Sequence, residues 1–127
     1  MKQKDRKQVE FQFENFPNPD MVDVHFWNEA VSRNHRNSFD MPLRHTSKAY
    51  LEQLGPLGRE IVEALAEILG VEEITIYPYR LTIKKAQLYG WEGRNGLKAQ
   101  VAKALRSILT ERGYWVVQWI EGVRPRK

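Results

Sequence analysis

The sequence predicts an α+β domain, a two-layer sandwich in which two helices cover one face of a mainly antiparallel or mixed sheet. Two stretches have apolar residues at helical spacing, and five others alternate apolar and polar residues at strand spacing. The two kinds follow each other in the order ββ-α-ββ-α-β, without an internal repeat or a low-complexity tract. A chain of 127 residues is long enough for one such domain to bury a core without a metal or a disulfide.

The first two strands flank a turn. Apolar residues alternate with polar ones in two short stretches, at Val9, Phe11 and Phe13 and again at Val22, Val24 and Phe26. Between them, Phe16 to Asp20 contains two prolines, which fix φ, together with asparagine and aspartate, which favour turns. We expect the two stretches to pair as antiparallel strands.

The stretch from Arg59 to Lys85 predicts a helix followed by a hairpin. Its first part has an apolar face at helical spacing, made by Ile61, Val62, Leu65, Ile68 and Leu69. Gly70 follows, and glycine favours the left-handed conformation that ends many helices. From Ile74 the apolar period changes to two, which predicts two strands joined by a tight turn at Tyr77-Pro78-Tyr79-Arg80.

A second helix and a last strand complete the pattern. The helix is predicted from about 96 to 112 and the strand from 114 to 120. Residues 28 to 48 lose periodicity and predict an irregular insertion, with one short strand at 38 to 41. The sheet should therefore gain an extra C-terminal strand, while the insertion remains the longest irregular segment.

The positive charge of the chain is concentrated at its two ends. The formal net charge is +4; residues 1 to 7 carry +3 and residues 122 to 127 carry another +3, which leaves −2 for the stretch between them. A nucleic-acid-binding domain normally concentrates lysine and arginine on its folded part instead. We divide the chain into a basic flexible arm at 1–8, a single domain at 9–121 and a basic tail at 122–127.

Composition also bounds the compartment and the cofactor chemistry. The chain has no cysteine, which removes disulfides and thiolate ligands and is typical of a reducing compartment. No apolar run approaches the roughly 20 residues that span a bilayer, and the N-terminal stretch lacks the continuous apolar segment of a signal peptide. We expect a cytoplasmic protein that has no membrane segment and no cofactor.

The reactive residue types do not form a catalytic or metal-binding pattern. His25, His35 and His45 recur every ten residues, whereas histidine ligands of zinc usually pair within one helical turn or one strand step. Serines and threonines are present, but no nucleophile elbow surrounds any of them. We expect neither an enzyme nor a metal site.

Aromatic residues are better candidates for contacts with another protein. The turn Tyr77-Pro78-Tyr79-Arg80 should be partly exposed, and tyrosine and tryptophan are frequent anchors of interfaces. Packing of both tyrosines over the sheet edge is the alternative. Trp91, in the predicted loop before the last helix, is a further candidate. Trp115 and Trp119 on the last strand are expected in the core or in a contact between subunits.

Two of these segments, Phe16 to Val24 and Arg59 to Lys85, resemble the N-terminal domain of the Nfu family of iron–sulfur scaffold proteins. The first is similar to the family's opening T-P-N-P-N-x-L-K-F, and the second aligns without a gap to its helix and hairpin. Outright matches in the second segment are Ala64, Leu65, Ile68, Gly70, Val71, Thr82 and Lys85. Trp91 resembles the family's tryptophan before the last helix, so the likeness covers residues 9 to about 112, with an insertion between Phe26 and Pro56.

The resemblance implies a non-catalytic protein-binding or accessory module, linked to iron–sulfur cluster assembly or delivery. Family members that carry clusters do so on a separate domain with a Cys-x-x-Cys motif, and this cysteine-free chain cannot bind a cluster in that way. The expected partner is an iron–sulfur assembly or recipient protein. The strand at 114–120 lies beyond the usual family domain, and we expect a monomer or a weak homodimer through it.

A nucleic-acid-binding accessory protein is the alternative function. It would use the basic tails together with Arg33, Arg36, Arg44 and Lys48 in the insertion. Binding to phosphates would depend steeply on salt, which distinguishes this hypothesis from a protein-binding module. The negative charge of the folded stretch makes nucleic acid the weaker expectation.

Overall fold

The computed structural model of the chain describes residues 7–122 and contains one six-stranded sheet and three α-helices. The elements are β1 (Gln8–Asn15), β2 (Met21–Phe26), β3 (Asn37–Asp40), α1 (Lys48–Gln53), α2 (Gly55–Ala66), β4 (Val71–Tyr77), β5 (Arg80–Lys85), α3 (Leu97–Glu111) and β6 (Trp115–Trp119). Most of the predicted basic arm and basic tail lies outside the described residues. Gln8, which we assigned to the arm, begins β1.

The sheet is mixed, with the strand order β3-β4-β5-β2-β1-β6. Each neighbouring pair is antiparallel except β1 and β6, which are parallel. The two predicted hairpins, β1–β2 and β4–β5, therefore lie side by side, and the predicted last strand extends the sheet beyond β1. The α+β sandwich predicted from the sequence is confirmed.

The core lies between the sheet and the helices. Along β1, β2 and β5 every second side chain is buried, because alternate residues of a strand point to opposite faces and the helices cover one face. The sheet supplies Val9, Phe11, Val24, Ile74, Ile76, Leu81 and Ile83, and the helices supply Ile61, Val62, Leu65, Val101 and Leu105, all at 0% exposure. No helix within residues 7–122 is both long and apolar enough to cross a membrane.

The helix before β4 ends earlier than predicted. It begins at Gly55, with proline near its first turn, and ends at Ala66. Ile68 still packs against the core, but Leu69 is 77% exposed, so its assignment to the apolar helix face was wrong. Leu69 follows the last helical residue, and helical spacing no longer sets the direction of its side chain. Gly70 has φ +99°, which confirms the predicted left-handed position.

The insertion at 28–48 is tied to the rest of the fold. It contains β3, close to the predicted 38–41, which pairs with β4 at the edge of the sheet. The Val31 amide donates to the Pro78 carbonyl at 2.7 Å, and the Val31 side chain is buried. The Arg33 amide donates to the Leu54 carbonyl at 3.0 Å. The insertion thus packs against the hairpin turn and the start of α2.

Candidate functional site

The candidate site lies on the sheet face that carries no helix, which we call the open face. Residues on this face alternate with the buried ones and are mostly polar or aromatic. Because β1, β2, β4 and β5 lie next to one another, their outward side chains line up in rows across the sheet. Two of these rows have distinct chemistry.

The aromatic row crosses the whole sheet. The strand registers pair Tyr77 with Arg80, Arg80 with His25, His25 with Gln12, and Gln12 with Trp119. Arg36 extends the row past β4, because the next residue, Asn37, pairs with Ile76. We define the aromatic row as Arg36, Tyr77, Arg80, His25, Gln12 and Trp119.

Two arginines flank a tyrosine at one end of the aromatic row. The Arg80 guanidinium carbon lies 4.1 Å from the centre of the Tyr77 ring, a cation–π arrangement. A hydrogen bond from Arg36 lowers the pKa of the Tyr77 hydroxyl, burial opposes this, and a bond and the charge of Arg80 add to the lowering. This end of the row is therefore positive and favours an anionic or acidic contact.

The middle of the row is an aromatic stack. The rings of His25 and Trp27 are 5.6 Å apart and inclined by 24°, a stacked arrangement. His25 Nε2 lies 2.5 Å from Oε1 of Glu14. The stack and the carboxylate together fix the imidazole in place on the open face.

The other end of the row is built around a buried glutamine. Gln12 is 7% exposed; its amide oxygen accepts from Trp27 Nε1 at 3.2 Å, and its amide nitrogen donates to the Ile120 carbonyl at 2.7 Å. Trp119 Nε1 donates to a carboxylate oxygen of Glu10 at 2.8 Å. Beside them is a cleft of about 530 Å³, lined by Gln12, Phe13, Glu14, Asn15, Trp27, Glu121 and Gly122.

The second row combines hydroxyls and carboxylates, and it consists of Ser38, Thr75, Thr82, Asp23 and Glu14. The Ser38 and Thr75 hydroxyls are 2.8 Å apart, and the Thr82 hydroxyl donates to Asp23 at 2.6 Å. The open face therefore changes along the strands, from basic and aromatic near the hairpin turn to hydroxyl and acidic in the next row.

Glu14, Asp23 and His25 are the one group within residues 7–122 whose potential metal ligand atoms lie within 4.8 Å of one another. Each of the three already has a protein partner, since His25 bonds Glu14 and Asp23 accepts from Thr82. His35 and His45 are exposed and outside this group. The trio is accordingly a part of the hydrogen-bonded surface of the open face.

The predicted turn Tyr77-Pro78-Tyr79-Arg80 contributes unequally to the open face. Tyr77 and Arg80 are half-buried members of the aromatic row, whereas Tyr79 is 53% exposed. The carbonyls of Pro78 and Tyr79 accept from the amides of Val31 and Phe26, at 2.7 and 2.9 Å. Two backbone hydrogen bonds therefore hold the turn against the rest of the fold, and Tyr79 is exposed to solvent.

The remaining aromatic predictions have separate outcomes. Trp91 is 9% exposed, and its indole nitrogen donates to the Pro19 carbonyl at 2.9 Å. Its ring packs in the core because the loop before α3 folds back towards the turn between β1 and β2, so little of it is accessible to a partner.

Trp115 is 52% exposed and Trp119 half-buried, both outside the core, because Val116 is the residue of β6 that packs inwards.

The basic residues proposed for nucleic acid are all exposed and adjoin different parts of the fold. Arg33 lies beside Gly55 at the start of α2, Arg36 contacts Tyr77, and Arg44 precedes the short turn before α1, to which Lys48 belongs. Of the four, only Arg36 belongs to the aromatic row.

Sequence reasoning missed His25, Trp27 and Gln12 as members of one surface. Alternation correctly placed His25 on the polar side of its strand. The signal that could have joined the three residues is the strand order, which requires that the β4–β5 hairpin lies next to β2 and that β6 lies next to β1. Neither neighbour relation is encoded in local periodicity.

No protein-family model matches the chain, and no curated protein matches it by sequence. The solved structures that are similar to it include two with a TM-score above 0.5. One is the NMR structure of a NifU-like protein from Saccharomyces cerevisiae, with 17% identity, a TM-score of 0.54, and coverage of 87% of this chain and 85% of that one. The other is the crystal structure of protein SAV1430 from Staphylococcus aureus, with 9% identity, a TM-score of 0.51, and coverage of 77% and 98%. At these identities the likeness supports a NifU-like fold.

Proposed function

We propose that this chain is a non-catalytic protein-binding module that serves iron–sulfur cluster assembly or delivery and contacts an assembly or recipient protein. The observation that carries the proposal is the aromatic row, a continuous surface across a sheet face that no helix within residues 7–122 covers. The link to iron–sulfur proteins rests on the similarity in fold to a NifU-like protein and on the sequence resemblance described above.

The residue types of the row suit a protein interface. Several of its polar atoms are held by neighbouring side chains, for example His25 by Glu14 and Gln12 by Trp27. Arginine, tyrosine and tryptophan held in fixed positions are the residues that most often anchor protein interfaces.

The charge distribution specifies the kind of partner surface. Arg36 and Arg80 make the turn end of the open face positive, while Asp23 and Glu14 lie in the next row. A complementary partner presents carboxylates to the arginines and places basic or hydroxyl groups against the second row. These 127 residues supply no thiolate, so in this role the cluster stays on the partner.

Affinity capture with matched variants tests the proposal. The test variant combines Arg36→Glu with Tyr79→Ala, two exposed positions at the turn end of the open face. The control combines Arg44→Glu with Tyr50→Ala, the same changes at exposed positions outside the row, where Tyr50 is 56% exposed. We expect native-host iron–sulfur proteins to be captured by the wild type and the control and lost by the test variant. Capture without any iron–sulfur protein, or equal capture by both variants, would contradict the proposal.

Two further measurements separate this function from its rivals. Anaerobic incubation with iron and sulfide should leave the purified chain without cluster absorbance, and a stoichiometric chain-bound cluster would overturn the accessory role. Retention of the full chain on nucleic acid at physiological salt, with a steep salt dependence, would favour the nucleic-acid hypothesis instead.

A further inference from the structure

The outer strand β6 leaves backbone hydrogen-bonding groups at the edge of the sheet. The Trp115 amide donates to the Lys7 carbonyl at 2.7 Å, so the backbone of Trp115 faces β1. Backbone direction alternates along a strand, and the backbone groups of Val116 and Gln118 therefore point away from β1. β6 is the terminal strand of the sheet formed by residues 7–122, so these groups lie at its rim.

The sequence of β6 does not protect this edge. Natural edge strands usually carry lysine, another charged residue or proline, which prevents pairing with a second chain. The five residues Trp115–Trp119 include none of these. The opposite edge strand, β3, has only four residues and ends in Asp40. Of the two edges of the described sheet, β6 is thus the one suited to strand addition.

The pattern of β6 is also complementary to itself. It reads Trp-Val-Val-Gln-Trp, with tryptophans at equal distances on both sides of Val117. An antiparallel pair of two such strands around a twofold axis at Val117 places Trp115 opposite Trp119 of the second copy. In this register Val116 and Gln118 form the hydrogen-bonded pairs, with about four bonds in total.

We propose that a second copy of this chain pairs with β6, antiparallel and centred on Val117. The open-face residues Trp115, Val117 and Trp119 then occupy the non-hydrogen-bonded positions, where opposing side chains approach most closely. The two six-stranded sheets become one, and the open faces become continuous. This dimer goes beyond the proposed function and does not depend on it.

The small area of the contact between the two β6 strands sets the expected affinity of the dimer. A pair of five-residue strands buries less than the roughly 1,200 Å² of a standard stable interface. We therefore expect a dissociation constant on the order of 100 µM, with the dimer populated at high local concentration. The alternative is that a strand from a different protein pairs with β6. In that case the purified chain should stay monomeric.

Sedimentation and a designed cross-link test the dimer on the full chain. Across concentrations from about 10 µM to about 1 mM, we expect the mass of the wild type to rise above the 15.0 kDa monomer. Val117→Lys should remain monomeric, because it places two like charges opposite each other. Leu69→Lys, at a site that is 77% exposed and outside the sheet, should dimerise like the wild type.

The absence of cysteine makes the cross-link specific. Opposing Cα atoms in a non-hydrogen-bonded pair lie about 4.5 Å apart, within the range of a disulfide. Oxidation should therefore link Val117→Cys at least roughly tenfold faster than Leu88→Cys, a control position that is 98% exposed. A wild type that is monomeric throughout, a Val117→Lys variant that still dimerises, or equal cross-linking rates for the two cysteine variants would each overturn the proposal.

Discussion

Lys98 holds three parts of the chain together, and its removal gives a quantitative test of the structure. Its ammonium group, at the start of α3, donates to Asn15 at 3.1 Å, to Glu92 at 2.7 Å and to Glu121 at 2.6 Å. The Lys98 side chain is only 8% exposed, while those of Glu92 and Glu121 are 77% and 36% exposed. The cation therefore joins the end of β1, the loop before α3 and the residues after β6.

The expected loss of stability follows from how exposed the partners of Lys98 are. The bond to Asn15 involves a charged donor and contributes about 1.5 kcal/mol. The pair with the exposed Glu92 contributes at most about 0.5 kcal/mol, and the pair with Glu121 about 1 kcal/mol. Lys98→Met keeps the length of the side chain and removes the cost of burying a charge, which is several kcal/mol for a fully buried ion but about 1 kcal/mol here because the partners Glu92 and Glu121 stay in contact with water. We expect the free energy of unfolding to fall by about 2 kcal/mol at neutral pH.

The contribution of Lys98 to stability should change with pH in a definite direction. Burial lowers the pKa of Lys98, but the hydrogen bonds and charges of Glu121 and Glu92 outweigh it, and the net pKa is raised above the usual lysine value. A group whose pKa is higher in the folded state stabilises the fold fully below its unfolded pKa, and this contribution is lost as the pH rises through the folded pKa. The difference between wild type and Lys98→Met should thus be constant near neutrality and shrink in strong alkali.

Urea unfolding followed by tryptophan fluorescence measures both quantities. Lys103→Met is the matched control, because Lys103 is an exposed lysine on the same helix, and it should change the unfolding free energy by less than about 0.5 kcal/mol. A Lys98→Met variant as stable as this control at neutral pH would refute the hydrogen-bonded arrangement. A difference that persists undiminished above the usual lysine pKa would refute the electrostatic cause.

Two more predictions concern single sites. Gly70→Ala should lower the unfolding free energy by about 1–2 kcal/mol, because φ is +99° and the added Cβ would lie 2.6 Å from the Tyr89 ring. Gly93→Ala, with φ +94° and open space around the added Cβ, should show only the part of this loss that comes from backbone strain. Equal losses for the two variants in a thermal melt would show that the Tyr89 ring moves aside without cost. Arg36→Gln should raise the lowered pKa of the Tyr77 hydroxyl towards the usual tyrosine value, because it removes the Arg36 hydrogen bond. Ultraviolet difference titration, with Tyr77→Phe as the reference, measures this pKa. An unchanged pKa would rule out the Arg36 hydrogen bond as the main cause of the lowering.

Local periodicity predicted the elements of the fold because each strand and helix has one buried face. Val22, Val24 and Phe26 alternate in the sequence and are buried in the structure, and the helical spacing of Ile61 and Leu65 has the same outcome. The assignment of Leu69 failed because helical spacing was continued past the end of the helix. Periodicity contains no information on where a helix ends, and Gly70, which we took as the end marker, lies beyond Ala66, the last residue of the helix.

The candidate site could be predicted only in part. Tyr77 and Arg80 were recognised from the turn that they flank, since a hairpin turn is a local feature. Their connection to His25, Gln12 and Trp119 depends on pairings between strands that are distant in sequence, including the parallel pair of β1 and β6. Trp91 is a different case, because its position in a loop gave no sign of burial, while its bond to Pro19 keeps it inside.

The parallel arrangement of β1 and β6 has a mechanical consequence. Tension applied at Gln8, where β1 begins, and at Trp119, where β6 ends, pulls two neighbouring strands along their length in opposite directions. The backbone hydrogen bonds between them then carry the load together, as in shear, whereas the β4–β5 hairpin pulled at its open end would yield one bond after another. The sheet is therefore strongest along the line that joins the two ends of the described chain, and we expect tension from flanking segments to leave the aromatic row assembled.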